Sequence, residues 1–442
     1  MKTRKSLENN SSRSNPIWLV AAIVFLLALS VRLAFLKWHG VLLTPDSKDY
    51  LTLAHNLIFN GVFSLDTASP FKPTIRWPPL YPAFIGALSW TGGSSMVIAG
   101  AQAVIDSATA VILMLMLRAC VSLRCAALGS LAYAIHPGAV VSVHTVLTET
   151  LFTFLLVLSI YTLSQGFEKN KKWKTALSGL ILGLSILCRP IALMLPVVLL
   201  IPMLMFPPRR RAVKHWVLML VIAFLIVAPW SIRSSIVAGR LVTVQDSAVL
   251  AILFYVATRF DWDQKDQAKL WPAVGEETKR MVSAAVTNHE SGSNSPQRID
   301  QMLIREGIKN IRANPGKYLA SRAKSFPYLV ITSYDSATGI NQSFGTALAQ
   351  RDFLKLGIKV LLLILFSLIP LGLGVLGLAA SRRNLVAALG ATVWLYALIF
   401  YIPLWVEPRY WTPFVPFLLV SSALGASSLW HRFHKGSQNR TT

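Results

Sequence analysis

Acidic residues are scarce in this 442-residue chain, which has 19 Asp and Glu against 43 Lys and Arg, and only 14% of its residues are charged. Hydrophobic residues make up 54% of the sequence, which is more than an ordinary soluble domain contains. Several apolar runs reach the roughly 20 residues that a helix needs to cross a bilayer. The sequence therefore predicts an all-α polytopic membrane protein.

Cysteine is rarer still, with three residues in the chain. Cys120, Cys125 and Cys188 have neither the spacing of a metal site nor the pattern of a disulfide framework. His144 is read as an interfacial polar residue, because no second ligand has suitable spacing beside it. No metal ligand is therefore assigned and no cofactor is required, although dependence on a divalent metal is left open.

Nucleic-acid motifs are also missing, although the net charge of +24 would favour nucleic acid in a soluble protein. The basic residues instead lie in short loops between apolar runs. This is the pattern of cytoplasmic loops, reinforced by attraction to anionic membrane lipids. We expect membrane lipids, and no nucleic acid, among the partners.

Placing the basic loops in the cytoplasm predicts about ten transmembrane helices, with both termini cytoplasmic. The first helix is too long for a signal peptide and is expected to be retained. The spans are expected near residues 16–36, 95–117, 125–143, 148–166, 175–188, 191–206, 213–230, 356–379, 385–403 and 411–430.

This topology divides the chain into three regions. Residues 1–230 form an N-terminal transmembrane region whose first outer loop, 38–93, carries the candidate chemistry. Residues 231–355 form a polar outer segment, with amphipathic helices expected near 301–313 and from about 317. This segment is expected to be a lid or a platform for the acceptor. Residues 356–442 contain the last transmembrane helices and a cytoplasmic tail.

The first outer loop begins with helix signals. Thr44 suits an N-cap, Pro45 the first helical position and Gly61 the position after the C-cap. A short amphipathic helix is expected there on the membrane surface, with an apolar stripe formed by Tyr50, Leu53, Ala54, Leu57 and Ile58. Asp46 lies in its first turn, where it either complements the helix dipole or acts as a catalytic carboxylate.

Residues 76–82 read Arg-Trp-Pro-Pro-Leu-Tyr-Pro, the most specific string in the chain. The prolines restrict the backbone on both sides, and Trp and Tyr favour the membrane interface. Arg76 is therefore expected at headgroup level, where its planar guanidinium suits a lipid phosphate. The alternative is an interfacial anchor that snorkels to water.

Polar residues mark other predicted outer corners as well. Glu149 lies between two helices, as a substrate contact or a helix cap. Glu407 and Arg409 are expected to pair across Pro408, with Tyr410 as an interfacial residue or a ligand contact. The string 261–263, Asp-Trp-Asp, is read as a solvated loop.

Taken in order, these strings resemble the GT-C membrane glycosyltransferases, in particular the dolichyl-phosphate-mannose protein mannosyltransferases and the lipid A aminoarabinose transferases. The first-loop signature of these families is often Asp-Glu, whereas this sequence has Asp46-Ser47, which leaves open whether Asp49 takes the role of the second acid. Further strings agree in order, namely His136-Pro137, 147–150, Arg189-Pro190, 229–233, Asn314-Pro315 and 407–410.

The resemblance implies a GT-C-like bundle and an inverting hexosyl- or pentosyltransferase. It implies transfer of one sugar from a polyprenyl-phosphate donor to a lipid, glycan or protein acceptor on the outer side of the cytoplasmic (inner) membrane. Asp46 would be the base and Arg76 the phosphate clamp. The expected substrate-binding residues are Asp49, Arg76, Tyr81, Glu149, Arg189, Arg409 and Tyr410.

Two other kinds of membrane protein predict a different arrangement of residues. A flippase for a lipid-linked sugar would line its helix centres with charges, whereas here the acids gather at the outer ends and residues 19–31 and 360–380 are nearly uncharged. An O-antigen ligase or polymerase would also face outward, but it lacks the order of Asp46 followed by the Arg76 string.

Overall fold

The computed structural model describes residues 17–89, 94–260, 270, 272–280, 299–330 and 348–438. The structural statements below concern these residues, and the Asp-Trp-Asp string at 261–263 lies outside them. The described part of the chain contains α-helices and short 3-10 turns, and its only β-type pairing is an isolated parallel bridge between Leu42 and Thr145. The prediction of an all-α protein is confirmed.

The first nine helices carry the first outer loop and most of the buried core. They are α1 (Ile17–His39), α2 (Pro45–Phe59), α3 (Leu80–Ser89), α4 (Ser95–Arg118), α5 (Leu123–Ala134), α6 (Pro137–His144), α7 (Glu149–Glu168), α8 (Lys172–Cys188) and α9 (Pro190–Leu204).

The remaining helices begin with a long one that leads into the polar outer segment. They are α10 (Arg209–Ala238), α11 (Ser247–Ala257), α12 (Ile299–Ala313), α13 (Pro315–Val330), α14 (Phe353–Ser381), α15 (Leu385–Tyr401) and α16 (Val415–Gln438), the last of which follows two 3-10 turns at Pro408–Tyr410 and Thr412–Phe414.

Six described helices are long and apolar enough to cross a membrane. They are α1, α4, α7, α10, α14 and the stretch Pro408–Arg432 that includes most of α16. The pair α5 and α6, bent by 50°, raises the number to seven if it is one span. The prediction of about ten spans also counts α8, α9 and α15, which are helical here but shorter. The chain is thus a multi-pass membrane protein.

Prolines and glycines set several helix ends. Thr44 and Ser47 form a reciprocal capping box at the start of α2, and Pro45 is its first residue. Gly61 follows the end of α2 with φ 67°, a left-handed conformation that costs glycine little. Pro137 begins α6 after the bend, because proline lacks the N–H that a continuous helix needs.

Polar corners meet at one end of the bundle. Leu42 pairs with Thr145 there, which joins the chain before α2 to the turn before α7. At the opposite end, Asn384 Nδ2 donates to the carbonyl oxygen of Ala119 at 2.8 Å, and His215 contacts Asn170 at 3.1 Å. The basic loops therefore lie together, as the topology prediction requires, while the assignment of each end to a membrane face stays a prediction.

The described helices of the polar outer segment are attached to the corner before Glu407. The buried Arg322, on α13, donates to the carbonyl oxygens of Leu404 and Ala257. The backbone N–H of Trp405 donates to the carbonyl oxygen of Leu253, on α11, at 3.0 Å. The predicted amphipathic helices are α12 and α13.

Candidate active site

Asp46 lies in the first turn of α2, where the capping box orients the backbone. Its Oδ2 accepts a hydrogen bond from Arg409 Nη2 at 3.1 Å. The Nε atom of Arg409 pairs with Glu407 Oε2. Arg409 thus connects two carboxylates, and about a third of the Asp46 side chain is exposed. The expected local pair of Glu407 with Arg409 is present, but the contact with Asp46 was not foreseen.

Glu149 and Arg189 form a second, buried ion pair. Glu149 begins α7 and Arg189 follows α8, which brings Glu149 Oε1 and Arg189 Nη1 to 2.8 Å. Glu149 is 3% exposed, and its Oε2 has no hydrogen-bond partner among the described residues. A buried carboxylate oxygen without a partner is costly, so this atom is a natural acceptor for a ligand hydroxyl.

Aromatic rings connect the two ion pairs. The guanidinium of Arg189 lies 5.6 Å from the ring centroid of Tyr410 and 5.8 Å from that of Phe152. The ring of Tyr401 stacks on that of Tyr410, with 5.4 Å between the two ring centroids. Tyr410 is adjacent to Arg409, so Glu149, Arg189, Arg409 and Asp46 belong to one connected site.

Arg76 is held differently. Its side chain is 60% exposed, and its Nη2 lies 3.8 Å from Asp49 Oδ2. The backbone around it is fixed, because Trp77 Nε1 donates to Asp49 at 2.9 Å and Arg233 donates to the carbonyl oxygen of Thr74 at 2.6 Å. A fixed backbone with an open guanidinium suits a ligand phosphate, and it also suits an interfacial anchor.

The environment shifts two further groups at this site. Burial raises the pKa of the Tyr50 hydroxyl well above its ordinary value, and the negative charges of Asp46 and Glu149 raise it further. Burial likewise raises the pKa of Glu407, against the opposing effect of Arg409. The hydroxyl of Tyr50 is therefore uncharged. In the described part of the chain, no group of three or more His, Cys, Asp or Glu could hold a metal ion.

The structure brings together most of the predicted site residues, namely Asp46, Glu149, Arg189, Arg409 and Tyr410. Asp49 contacts the Arg76 loop, and Tyr81 is fully buried with its hydroxyl donated to Gln102 Oε1 at 2.8 Å. Direct contact of these two residues with substrate stays a prediction.

Sequence reasoning missed Gln102 and the contact between Asp46 and Arg409. Gln102 is uncharged and lies within an apolar run, so nothing in its immediate sequence marks it. The contact between Asp46 and Arg409 has no local signal either, because 363 positions separate the two residues.

A model of the family described as dolichyl-phosphate-mannose-protein mannosyltransferase matches residues 76–232. Among solved structures, the oligosaccharyltransferase of Archaeoglobus fulgidus in the apo form aligns with a TM-score of 0.55 and 14% identity over 97% of this chain and 52% of that chain. The chain has a GT-C fold.

Other alignments have similarly low sequence identity. AglB from A. fulgidus, in complex with an inhibitory peptide and a dolichol-phosphate, aligns with a TM-score of 0.52 and 15% identity over 96% of this chain and 51% of that chain. ArnT from Cupriavidus metallidurans, bound to undecaprenyl phosphate, aligns with a TM-score of 0.41 and 16% identity over 93% of this chain and 77% of that chain. The chain spans about half the length of the oligosaccharyltransferases. No curated protein matches the sequence.

Proposed function

We propose that this protein is a glycosyltransferase that moves a single sugar from a polyprenyl-phosphate donor to an acceptor on the outer face of the cytoplasmic membrane. The observation that carries the proposal is the contact between Asp46 and Arg409. It places a partly exposed carboxylate beside the buried Glu149–Arg189 pair, at the end of the bundle where the polar corners meet.

The chemistry needs one base and a cationic site for the leaving phosphate. As the acceptor oxygen attacks the anomeric carbon, the bond from that carbon to the phosphate oxygen breaks, and the hydroxyl proton passes to Asp46. The phosphate leaves as an anion, so a guanidinium can stabilise it without donating a proton. Arg76 supplies that group, because its open side chain is free to form two parallel hydrogen bonds to phosphate oxygens.

The remaining residues orient the substrates. Arg409 directs the Asp46 carboxylate, and it is a second candidate for phosphate contact together with Arg189. The free Oε2 of Glu149 accepts a hydroxyl of the sugar. Tyr410 borders this pair and supplies an apolar face beside the ring of the sugar.

A lipid-phosphate donor is supported by two comparisons. The matching family model is named for a dolichyl-phosphate-mannose donor, and the aligned structure of AglB contains a dolichol-phosphate. The acceptor is a lipid, a glycan or a protein, and the sugar is a hexose or a pentose.

The flippase alternative would be favoured by charges along a path through the helices. Within the described helices, Arg32 Nε donates to Asp106 Oδ2 at 2.6 Å, and the hydroxyl of Tyr133 donates to Asp106 Oδ1 at 2.6 Å. Arg32 and Asp106 are 1% and 2% exposed. Charges that are buried and bound to each other join helices rather than line a path, so this pair favours the enzyme.

Mass spectrometry of envelope glycolipids and proteins tests the proposal. Cells with the chain, cells without it and cells with Asp46→Asn at equal abundance are compared. We expect a one-sugar mass increment on one acceptor only with the wild-type chain. An increment that persists without the chain, or an undiminished increment with Asp46→Asn, contradicts the proposal.

A further inference from the structure

Gln102, on α4, connects two walls of the candidate site and is completely buried. Its Oε1 accepts a hydrogen bond from the Tyr81 hydroxyl at 2.8 Å. Its Nε2 donates to the carbonyl oxygens of Val143 at 2.7 Å and Thr145 at 3.0 Å. Both amide hydrogens and the amide oxygen therefore have partners.

These three contacts determine both the residue type and its orientation. If the amide of Gln102 were rotated by a half turn, its oxygen would face two carbonyl oxygens. A carboxylate would face them as well, and the shorter asparagine would not reach. Glutamine is the neutral side chain of this length with two donors and an acceptor. Because unmet polar groups are costly in a buried setting, the three partners hold one another in place.

The first wall is the segment that carries Arg76. Tyr81 lies five residues after Arg76 in the first turn of α3, and Pro78 and Pro79 restrict the backbone between them. At the other end, Trp77 donates to Asp49. The segment 76–81 is thus fixed to α2 at one point and to Gln102 at the other.

The second wall is the corner 143–145 between α6 and α7. The backbone N–H of Leu42 donates to the carbonyl oxygen of His144 at 2.9 Å, so the chain that leads to Asp46 is attached to this corner. The hydroxyl of Thr150, beside Glu149, donates to the carbonyl oxygen of Ser142 at 3.0 Å. The segments that carry Asp46 and Glu149 are therefore both hydrogen-bonded to the corner that Gln102 contacts.

We propose that Gln102 is a positioning residue that fixes the Arg76 segment relative to Asp46 and Glu149. The residue touches no substrate itself and acts through Tyr81 on one side and the corner 143–145 on the other. Its catalytic effect rests on the proposed function, whereas the connection that it makes can be measured without any reaction. A misplacement of about 1 Å costs up to about 10²-fold in rate, so loss of this connection lowers transfer.

Amide hydrogen exchange in nanodiscs tests the connection. Tyr81→Phe removes only the first hydrogen bond, so exchange rises only in residues 76–88. Gln102→Met removes all three, so exchange rises in 76–88 and also in 143–148, by roughly 10-fold for a lost hydrogen bond. The matched control is Ser421→Ala, which removes a buried bond from Trp394 Nε1 at 3.1 Å and changes neither segment. Unchanged exchange at 143–148 in Gln102→Met overturns the proposal.

Transfer provides the second readout, as the rate at which the one-sugar increment appears in envelope extracts after induction. Tyr81→Phe and Gln102→Met lower this rate by up to about 10²-fold, while Ser421→Ala leaves it unchanged. In an Arg76→Lys background, Tyr81→Phe costs less than in the wild type, because the clamp that it positions is already weakened. Equal costs in both backgrounds, or wild-type rates in both variants, overturn the proposal.

Two outcomes keep the test decisive. If Gln102→Met does not accumulate in the membrane, the test rests on hydrogen exchange and transfer by Tyr81→Phe and by the double variant of Tyr81→Phe with Arg76→Lys. If the wild-type chain yields no increment at all, the proposed function fails, and the exchange of 76–88 and 143–148 still decides whether Gln102 joins the two walls.

Discussion

Arg409 donates a hydrogen bond to Asp46 at 3.1 Å, although 363 positions separate the two residues in the sequence. The contact joins the start of α2 to the corner before α16 and unites the two ends of the chain in one site. Because the two residues act through this contact, a mutation of one should change the effect of mutating the other.

Arg409→Met removes the group that directs the Asp46 carboxylate. We expect transfer to fall by about 10²-fold, because the base is no longer held at the reacting position. In an Asp46→Asn background, the same substitution costs much less, since the two residues act through one contact. The prediction is checked by the initial transfer rates of the wild type, the two single variants and the double variant. Losses that add up in the double variant would contradict it.

The Glu149–Arg189 pair is expected to matter for folding as well as for transfer. Arg189→Met leaves a buried carboxylate without its partner, which destabilises the protein by about 3–5 kcal/mol. Adding Glu149→Gln recovers part of this stability without restoring transfer. Thermal unfolding in detergent measures the effect, with Arg76→Met as the exposed control. An Arg189→Met protein as stable as the wild type would show that the pair is not a buried ion pair.

Arg76 distinguishes a phosphate clamp from an interfacial anchor. An anchor needs only a long cation, so Arg76→Lys would be silent and Arg76→Ala mild. A clamp needs the guanidinium, so we expect Arg76→Ala to abolish most transfer and Arg76→Lys to retain part of it. Lys72→Ala, in the same exposed loop, is the control and keeps its rate. Near-normal transfer by Arg76→Ala with normal abundance would assign the phosphate to Arg409 or Arg189.

Topology can be tested without chemistry. Cysteines at the exposed positions Lys72 and Lys317 should react with a membrane-impermeant maleimide from outside, in a protein whose own cysteines are replaced. Cysteines at Lys169 and Arg383, in the basic loops, should react only after permeabilisation. Labelling of Lys169 from outside would reverse the sidedness and move the site to the cytoplasmic face.

Local signals in the sequence were sufficient for the helices. Apolar runs predicted the long helices, and Thr44, Pro45 and Gly61 predicted both ends of α2, because caps depend on neighbouring residues. The predicted helix at 191–206 is less regular: it begins as a 3-10 turn before two short α-helical pieces, as expected where Pro196 and Pro202 lack the N–H that a helix needs.

Contacts between distant residues could not be read in the same way. The pairing of Asp46 with Arg409 depends on which helices are neighbours, and no local pattern contains that information. Arg32 and Asp106 lie in separate apolar runs, 74 positions apart, so the sequence around either residue does not identify the other as its partner. Gln102 is uncharged and lies within an apolar run, so the sequence around it does not indicate its contacts. The sequence indicated which residues could react, and the packing determines which of them meet.

The rate of sugar transfer by Asp46→Asn is the most direct test of whether Asp46 is the catalytic base. The substitution preserves the side-chain volume and removes the base, and Asp352→Asn, far along the chain from the first outer loop, is the control. Initial rates of the one-sugar increment are measured at matched abundance, with binding of undecaprenyl phosphate measured in parallel. We expect transfer to fall by about 10²–10⁴-fold while the lipid phosphate still binds. Transfer at the wild-type rate would show that Asp46 only caps α2 and that the mechanism is wrong.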